Sequence, residues 1–143
     1  MLNIHATLIS FQNHGILFIG ESGAGKSDIA LRMIMDKNAL LVADDRVNLE
    51  CLDDKLYGSV PQNIEGLLEI RNVGIGKFPF KQQEKIDLCI ELCADKTGLN
   101  RLPEEETVVF LGVSITKLKL YPFDCSILCK IIAKLNGLIE TIE

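Results

Sequence analysis

Apolar residues recur at helical spacing in two parts of the chain, residues 26–36 and 126–135, and this spacing predicts helices there. Short apolar runs and alternating apolar and polar positions fill much of the remainder and predict strands. The predicted strands are residues 2–11, 16–19, 39–43, 46–52, 55–60, 67–73, 85–92, 107–111 and 115–121. The pattern predicts a strand-rich α/β fold of α+β character, because strands and helices do not alternate as in a doubly wound sheet.

Polar segments between the predicted strands indicate where the chain turns. Residues 12–15, Gln-Asn-His-Gly, predict a hairpin turn, and Asp53 and Asp54 predict a second turn. Residues 85–92 alternate between apolar side chains and Lys, Asp, Cys or Glu, which predicts a strand with one solvent-facing side.

The overall composition is that of a globular domain and argues against two kinds of partner. The 143 residues are 48% hydrophobic and 24% charged, which is typical of one domain spanning residues 1–143. No apolar run approaches the ~20 residues that span a bilayer, and the N-terminus lacks the features of a secretory signal. We therefore expect a cytoplasmic protein without a membrane partner. The net charge of −5 without a long basic run argues against nonspecific nucleic-acid binding.

Five cysteines raise the question of a metal site. Cys89 and Cys93 are four residues apart, as are Cys125 and Cys129, whereas zinc-binding pairs are more often found at Cys-x-x-Cys spacing. Both pairs lie in apolar periodic segments. The odd number of cysteines, with Cys51 as the fifth, also argues against a disulfide framework. We interpret the cysteines as reduced thiols of the core.

The segment between the predicted strand 16–19 and the first predicted helix matches the phosphate-binding pattern G-x-x-x-x-G-K-[ST] at every fixed position. Glycines allow the backbone to point successive N–H groups at a phosphate, next to the positive end of the helix. The lysine of such a loop contacts the β- and γ-phosphates, and the following hydroxyl binds Mg²⁺. The residues expected to bind a nucleoside triphosphate are Gly20, Glu21, Ser22, Gly23, Ala24, Gly25, Lys26 and Ser27.

Two carboxylates, Asp44 and Asp45, directly follow the predicted strand 39–43. Magnesium-dependent phosphoryl transfer needs a carboxylate near the metal, usually at the end of a buried strand. One aspartate would organise the metal shell, and the other would accept a proton from an attacking hydroxyl. The alternative is an ordinary surface turn, but the apolar strand and the nearby loop favour the functional interpretation.

Three motifs in order along the chain, GESGAGKS, VADDRV and LLEIRNVGI, resemble the C-terminal catalytic domain of the HPr kinase/phosphorylase family. That family uses ATP to phosphorylate a serine of the small phosphocarrier protein HPr. The glycine loop is shared by many families, but the EIR-x-x-GI segment is highly specific. The resemblance covers essentially the whole chain. It implies a P-loop kinase domain that is similar to the nucleotide-binding part of phosphoenolpyruvate carboxykinase.

The resemblance also implies roles for individual residues. His5 matches the family's active-site histidine, Asp45 its proton acceptor, and Arg101 its active-site arginine, which would neutralise charge on the transferring group. Together with Lys26, these are the expected catalytic residues. Without the resemblance, His5 would be interpreted as a polar residue on a strand and Arg101 as an exposed loop charge. The expected Mg²⁺ ligands are Ser27, Glu69 and Asp44.

Two departures from the family pattern limit what the resemblance implies. Full-length members carry an additional N-terminal domain, so we expect a short form to which their regulation does not transfer. Bifunctional members also carry a Pro-Gly-Arg-Asn-like segment after the late strand, which is associated with the reverse, phosphorylase reaction. Residues 120–126 of this chain read LYPFDCS and contain no arginine, which favours kinase activity over the reverse reaction.

Three functions stay open at this point. The leading hypothesis is a protein-serine kinase that acts on an HPr-like carrier and, following the family, forms a hexamer. The second is a phosphotransferase on the same scaffold with a different acceptor. The third is a nucleotide-binding sensor without catalysis, which would have no need for Asp45, Glu69 and Arg101 together.

Overall fold

A computed structural model describes residues 1–139, in which eleven strands and two helices occur. The strands are β1 (Leu2–Ile4), β2 (Thr7–Phe11), β3 (His14–Ile19), β4 (Leu40–Ala43), β5 (Val47–Leu52), β6 (Lys55–Ser59), β7 (Leu67–Ile70), β8 (Gly74–Lys77), β9 (Gln83–Leu92), β10 (Glu106–Phe110) and β11 (Val113–Leu120). The helices are α1 (Lys26–Lys37) and α2 (Ile127–Ile139). Neither helix, as far as it is described, is long and apolar enough to cross a bilayer.

Nine of these strands form one branched sheet, in which seven follow the order β1-β5-β6-β9-β3-β2-β4. The branch lies at β9, because its first residues pair with β6 and its last four pair with β11, which in turn pairs with β10. Strands β7 and β8 form a separate hairpin, and β7 packs against α1. The strand-rich α/β class predicted from the sequence is confirmed.

Four strands of the large sheet run in one direction and end at the same edge. Strands β3 and β9 are parallel neighbours, as are β9 and β11. Strand β2 is antiparallel to both β3 and β4, so β4 runs in the direction of β3 and β2 begins where they end. We call this edge the carboxyl edge. It carries residues 5–6 before β2, 20–25 after β3, 44–46 after β4, 93–94 after β9 and 121–126 after β11.

The central strands are buried on both faces because two hydrophobic cores lie on opposite sides of the sheet. One core includes Ile9, Phe18 and residues of α1 and α2. The other includes Leu8, Leu17 and residues of β5 and β6. Successive residues of β2 and β3 therefore enter different cores, which explains why all five residues of β2 are buried.

Both turns predicted from polar segments occur where the sequence indicated. Gln12 and Asn13 connect β2 to β3 with φ angles of 50° and 66°, and Asp53 and Asp54 connect β5 to β6 with φ angles of 54° and 63°. Two consecutive residues with positive φ are characteristic of the two-residue hairpin turn, which asparagine and aspartate tolerate better than most residues. These turns depend on local residues, and the prediction succeeded for that reason.

The prediction of a single strand over residues 2–11 is wrong. The chain forms β1 and β2, which are separated at His5 and Ala6. Strand β1 pairs with β5, whereas β2 pairs with β3 and β4. The change of partner interrupts the ladder, and the Ala6 N–H instead donates a hydrogen bond to the Asp45 carbonyl, at 3.3 Å. The interruption places His5 at the carboxyl edge.

The prediction of one solvent-facing side for residues 85–92 is wrong for part of β9. Cys89 is fully buried. The register between β3 and β9 shifts, because Gly15 pairs with Ile86 while the next residue, Ile16, pairs with Leu88. This bulge turns Ile86 and Leu88 toward different cores. The alternation in the sequence continues through the bulge and therefore does not reveal it.

The interpretation of the cysteines as core thiols is correct only for Cys89. Cys93 is partly exposed, and Cys51, Cys125 and Cys129 are exposed. Cys125 precedes α2, and Cys129 lies outside the stripe of α2 that packs against the sheet, although its position fits the apolar spacing.

The predicted strand 67–73 ends earlier than expected, at Ile70, and the chain turns back to form β8. Asn72, with a φ of 70°, lies in this turn. The sequence did not predict β8 because two of its four residues are glycines, which are depleted in strands.

Candidate active site

The loop between β3 and α1 curves around the amino end of the helix. Gly20 has a φ of +151°, and a Cβ atom at this position would lie 3.0 Å from the Leu92 carbonyl oxygen. Gly25 has a φ of +105° and immediately precedes the first residue of α1. Because both conformations favour glycine, the backbone explains both fixed glycines of the motif. The positive end of the helix dipole faces the interior of the loop.

Lys26 is the first residue of α1, and only 6% of it is exposed. Its Nζ atom donates hydrogen bonds to the carbonyl oxygens of Gly20 and Glu21, at 2.9 and 3.0 Å. Burial lowers the pKa of Lys26 below its ordinary value, and the nearby carboxylates of Asp45 and Asp44 partly offset that effect. The ammonium group is therefore held inside the loop, on the side that faces the two aspartates.

Asp44 follows β4 and receives two hydroxyl hydrogen bonds on one carboxylate oxygen. Ser27 Oγ donates to Asp44 Oδ1 at 2.6 Å, and Thr7 Oγ1 donates to the same oxygen at 3.0 Å. Thr7 begins β2 and is fully buried. The interaction connects the loop, β2 and β4 at the carboxyl edge.

Sequence reasoning missed Thr7. The sequence did contain a signal, because Thr7 directly precedes the apolar residues of β2. A hydroxyl that is buried in this position needs a hydrogen-bond partner. The sequence does not identify that partner, because Asp44 lies 37 residues away.

Asp45 points to a different neighbour from Asp44. Its Oδ1 atom lies 3.0 Å from His5 Nε2, and both side chains are substantially exposed, at 73% and 38%. Asp45 has a φ of 70°, a left-handed conformation that aspartate adopts more readily than most residues. The two adjacent carboxylates thus have different settings. Asp44 is bonded to the loop, whereas Asp45 lies at the surface beside a histidine.

Glu69 and Arg101 are less closely tied to this group. Glu69 is exposed on β7, the strand that packs against α1, and Arg101 is exposed in the segment between β9 and β10. Neither side chain makes a hydrogen bond or an ion pair with another residue in the range 1–139. The structure brings together His5, Lys26, Ser27, Asp44 and Asp45. The roles of these residues, like those of Glu69 and Arg101, stay predictions.

A cleft of about 700 Å³ lies on the other side of the loop from the aspartates. One wall is formed by residues 19–24, a second by residues 91–94 at the end of β9, and Phe123 lies at its margin. The sequence did not predict this cleft, because its walls follow three strands that are far apart along the chain.

The chemistry of the site fits a phosphorylated ligand with a hard cation. Hydroxyl and carboxylate oxygens, as in Ser27 and Asp44, are ligands that such cations prefer. Within residues 1–139 no three His, Cys, Asp or Glu side chains are grouped closely enough to hold a metal ion by themselves. A cation bound here would therefore need ligand atoms from the phosphates, which is how Mg²⁺ is commonly held with nucleotides.

Known proteins have sequences similar to that of this chain. The family model described as HPr Serine kinase C-terminal domain matches residues 1–134. The HPr kinase/phosphorylase of Caldicellulosiruptor bescii is 37% identical over 125 residues, which cover 80% of this chain and 40% of that protein. The HPr kinase/phosphorylase of Bacillus subtilis is 37% identical over 128 residues, which cover 82% and 41%. The chain thus spans about two fifths of the length of these relatives.

The fold is similar to a solved structure as well. The Hpr(Ser) kinase/phosphatase from Coxiella burnetii matches with a TM-score of 0.84 and 25% sequence identity, over 97% of this chain and 98% of that one. The match therefore extends through the branched sheet and its helices and is not confined to the phosphate-binding loop. Because the family model covers nearly every residue and both sequence and fold agree with it, the chain belongs to the HPr Serine kinase C-terminal domain family.

Proposed function

We propose that this chain is an ATP- and Mg²⁺-dependent protein-serine kinase that phosphorylates an HPr-like phosphocarrier protein. The observation that carries the proposal is the pair of adjacent carboxylates at the mouth of the loop. Asp44 is bonded to the loop hydroxyl of Ser27, and Asp45 is exposed beside His5. These different settings support a metal-binding role for Asp44 and a proton-accepting role for Asp45. The names of the relatives support the choice of HPr as acceptor.

In this proposal the loop from Gly20 to Ser27 binds the triphosphate of ATP. Backbone N–H groups at the amino end of α1 would contact the phosphate oxygens. Lys26 would exchange its hydrogen bonds to the loop carbonyls for contacts to the β- and γ-phosphates. The flanking strand and helix, which the motif requires, support this assignment.

Ser27, Asp44 and Glu69 are the proposed Mg²⁺ ligands. Ser27 and Asp44 are 2.6 Å apart through their oxygens, which supports a shared cation. Glu69 is assigned by the family resemblance, and its exposed position on β7 beside α1 leaves its carboxylate available. When bound, Mg²⁺ supplies positive charge to the β- and γ-phosphates.

Asp45 is the proposed proton acceptor for the serine hydroxyl. Its exposure allows an acceptor protein to approach, and His5 Nε2 at 3.0 Å would hold the carboxylate in place. As the serine oxygen forms its bond to the γ-phosphorus and the bond to ADP breaks, the hydroxyl proton passes to Asp45. Arg101 is proposed to neutralise charge on the transferring group.

The forward reaction is the one we propose. The segment after β11 contains Tyr121, Pro122 and Phe123 where bifunctional members carry an arginine-containing segment, which disfavours the phosphorylase reaction. We also propose a cytoplasmic location and, following the family, a homohexamer. The five free thiols support a reducing compartment.

Transfer of γ-labelled phosphate from ATP to purified HPr in the presence of Mg²⁺ tests this function. Wild-type protein should label a serine of HPr, and Asp45→Asn should abolish the label. Asp53→Asn is the matched control, because Asp53 also has a positive φ but lies in the turn between β5 and β6. Wild-type protein that binds ATP without labelling HPr would contradict the proposed acceptor and point to another acceptor or to a sensor.

A further inference from the structure

We propose that the base of the bound nucleotide lies in the cleft beside the loop and stacks on Phe123. This inference rests on the proposed function and adds to it a nucleobase subsite. The cleft joins the loop to the end of β9, and Phe123 lies at its margin.

The order of strands at the carboxyl edge sets the direction of the nucleotide. Asp44 and Asp45 follow β4, on one side of the loop, while β9 and β11 lie on the other side. The γ-phosphate must approach Asp45 for transfer to a hydroxyl. The sugar and base must therefore extend away from the aspartates, toward the ends of β9 and β11.

The cleft on that side has a suitable size and lining for a base. Its volume of about 700 Å³ falls within the ~300–1,000 Å³ of typical small-molecule sites. Ile19, Ala24, Leu92 and Ala94 give it apolar walls. The cleft also adjoins the phosphate-binding loop directly, because loop residues 20–24 form one of its walls.

Phe123 offers a flat aromatic surface that is fixed in position. Phe123 is 66% exposed, although phenylalanine is among the residues most often buried. Its ring packs edge-to-face on Tyr121, with centroids 5.5 Å apart and an interplanar angle of 76°. The preceding residue, Pro122, lies against the loop, since a Cβ atom on Gly25 would be 3.4 Å from it.

Ion pairs hold the segment that carries Phe123. Asp124 forms two ion pairs. Its Oδ1 atom lies 2.9 Å from Lys96 Nζ, and its Oδ2 atom lies 2.9 Å from Nζ of Lys130 in α2. Lys96 Nζ also lies 5.3 Å from the centroid of the Tyr121 ring. A preorganised ring loses less conformational entropy when a base stacks on it than a mobile ring would.

Two polar groups at the end of β9, on the cleft wall formed by residues 91–94, are already engaged, which bears on specificity. The Glu91 carboxylate accepts a hydrogen bond from Lys117 at 2.7 Å, and the Cys93 N–H donates to the Leu120 carbonyl at 2.9 Å. Stacking accepts any base, because every base has a π face. We therefore expect the subsite to bind ATP and GTP with similar affinity.

Calorimetric titration of wild type, Phe123→Ala, Phe123→Leu and Phe123→Trp with three ligands tests the inference. The ligands are ATP, GTP and inorganic tripolyphosphate, each with Mg²⁺. Phe123→Ala should weaken both nucleotides about tenfold, the effect of losing one base–aromatic stack, and should leave tripolyphosphate binding unchanged. Phe123→Leu should also weaken nucleotide binding, whereas Phe123→Trp should bind the nucleotides about as tightly as wild type. Val109→Ala is the control, because Val109 is 62% exposed on β10, outside the cleft.

Three results would overturn the subsite. Unchanged ATP affinity in Phe123→Ala would show that the base does not stack on Phe123 in this cleft. Equal loss of tripolyphosphate binding would place Phe123 at the phosphates, and wild-type affinity in Phe123→Leu would exclude stacking. A wild-type chain that binds neither nucleotide nor tripolyphosphate would contradict both proposals. If ATP affinity depends on Phe123 but HPr is not labelled, the proposed kinase function alone would be contradicted.

Discussion

Strand β2 carries a buried hydroxyl residue toward each end, and each hydroxyl is bonded to a carboxylate. Near one end, Ser10 donates to Glu84 Oε2 at 2.6 Å, and Lys81 Nζ donates to the same oxygen at 2.6 Å. The N–H of Lys85 donates to the other oxygen at 3.0 Å. At the other end, Thr7 bonds to Asp44, which also accepts from the Ser27 hydroxyl.

The two carboxylates differ in how their charge is balanced. Glu84 has a lysine partner and donors on both oxygens, so its charge is compensated within the fold. Asp44 is held by hydroxyls alone and makes no ion pair with any residue in the range 1–139, while Lys26 is bonded to the loop carbonyls. A carboxylate that forms an ion pair stabilises the fold, whereas one without an ion-pair partner at a phosphate-binding loop can still take a cation. This contrast supports the proposal that Asp44 has a functional role, whereas Glu84 has a structural one.

The strongest test of this contrast replaces Lys26 and Lys81, one at a time, by alanine. Lys26→Ala should slow phosphoryl transfer to HPr by about 10³-fold, because it removes charge that acts on the transferring phosphate. Its free energy of unfolding should change by less than about 1 kcal/mol, because Nζ bonds only loop carbonyls. Lys81→Ala should do the opposite, with normal transfer and a loss of about 1 kcal/mol of stability. Transfer rates and urea unfolding measure both, and normal phosphorylation by Lys26→Ala would invalidate the site.

Asp44→Asn should produce the next largest effect. The amide oxygen can still accept from Ser27 and Thr7, so the fold should be preserved, but the charge for the cation is lost. We expect the transfer rate to fall about 10²-fold and the Mg²⁺ concentration for half-maximal rate to rise. Binding of Mn²⁺, followed by electron paramagnetic resonance, provides a second measurement. An unchanged metal dependence would show that Asp44 is structural, like Glu84.

Thr7→Val should have a smaller effect, through the position of Asp44. Loss of the hydroxyl leaves Ser27 as the donor to Asp44 Oδ1, so we expect metal affinity to fall about tenfold, as is common when a partner of a metal ligand is removed. Thr7→Ser keeps the hydroxyl and should retain metal affinity. Titration of both variants with Mn²⁺ distinguishes positioning from packing, because a loss in Thr7→Ser with normal affinity in Thr7→Val would indicate that the Thr7 methyl group matters and not its hydrogen bond.

Glu84→Gln should have the smallest effect on function and should alter stability in a pH-dependent way. Burial raises the pKa of Glu84, but hydrogen bonds from Lys81, Ser10 and the Lys85 N–H outweigh it, so the pKa is lowered from 4.5. Between the two pKa values the unfolded chain binds more protons, so stability rises with pH there. We expect the variant to lose about 1 kcal/mol at pH 7.

The pH dependence checks that reasoning. The stabilisation by Glu84 should be complete above about pH 4.5 and should disappear as pH falls through the lower pKa of the folded state. Urea unfolding at pH 7 and pH 3 measures the difference between wild type and Glu84→Gln. A difference of the same size at pH 3 would show that the ionised carboxylate is not its cause.

Features that depend on neighbouring residues were predictable from the sequence. The loop motif, the start of α1 at Lys26 and the hairpin turn at Gln12 and Asn13 all agree with the structure. Their geometry follows from backbone conformations that particular residues favour over a few positions. The aspartate pair was also predictable, because Asp44 and Asp45 directly follow a short apolar run that is typical of a buried strand.

Features that depend on which strands become neighbours were not predictable. The break at His5 arises because β1 and β2 pair with different strands, and the buried Cys89 arises from the register of β9 against β3. Neither change alters the local apolar pattern. The functional assignments of His5 and Arg101 came from the family resemblance, since their own residue types and positions indicated no role.

The sequence by itself determined the phosphate-binding loop, the carboxylates after β4 and the family to which the chain belongs, because motifs are local and ordered along the chain. Only the tertiary structure decided that Thr7 supports Asp44, that His5 lies beside Asp45, and that Phe123 lies at the margin of a cleft beside the loop. These contacts join residues from separate strands. They exist because four strands run in the same direction and end at one edge of the sheet.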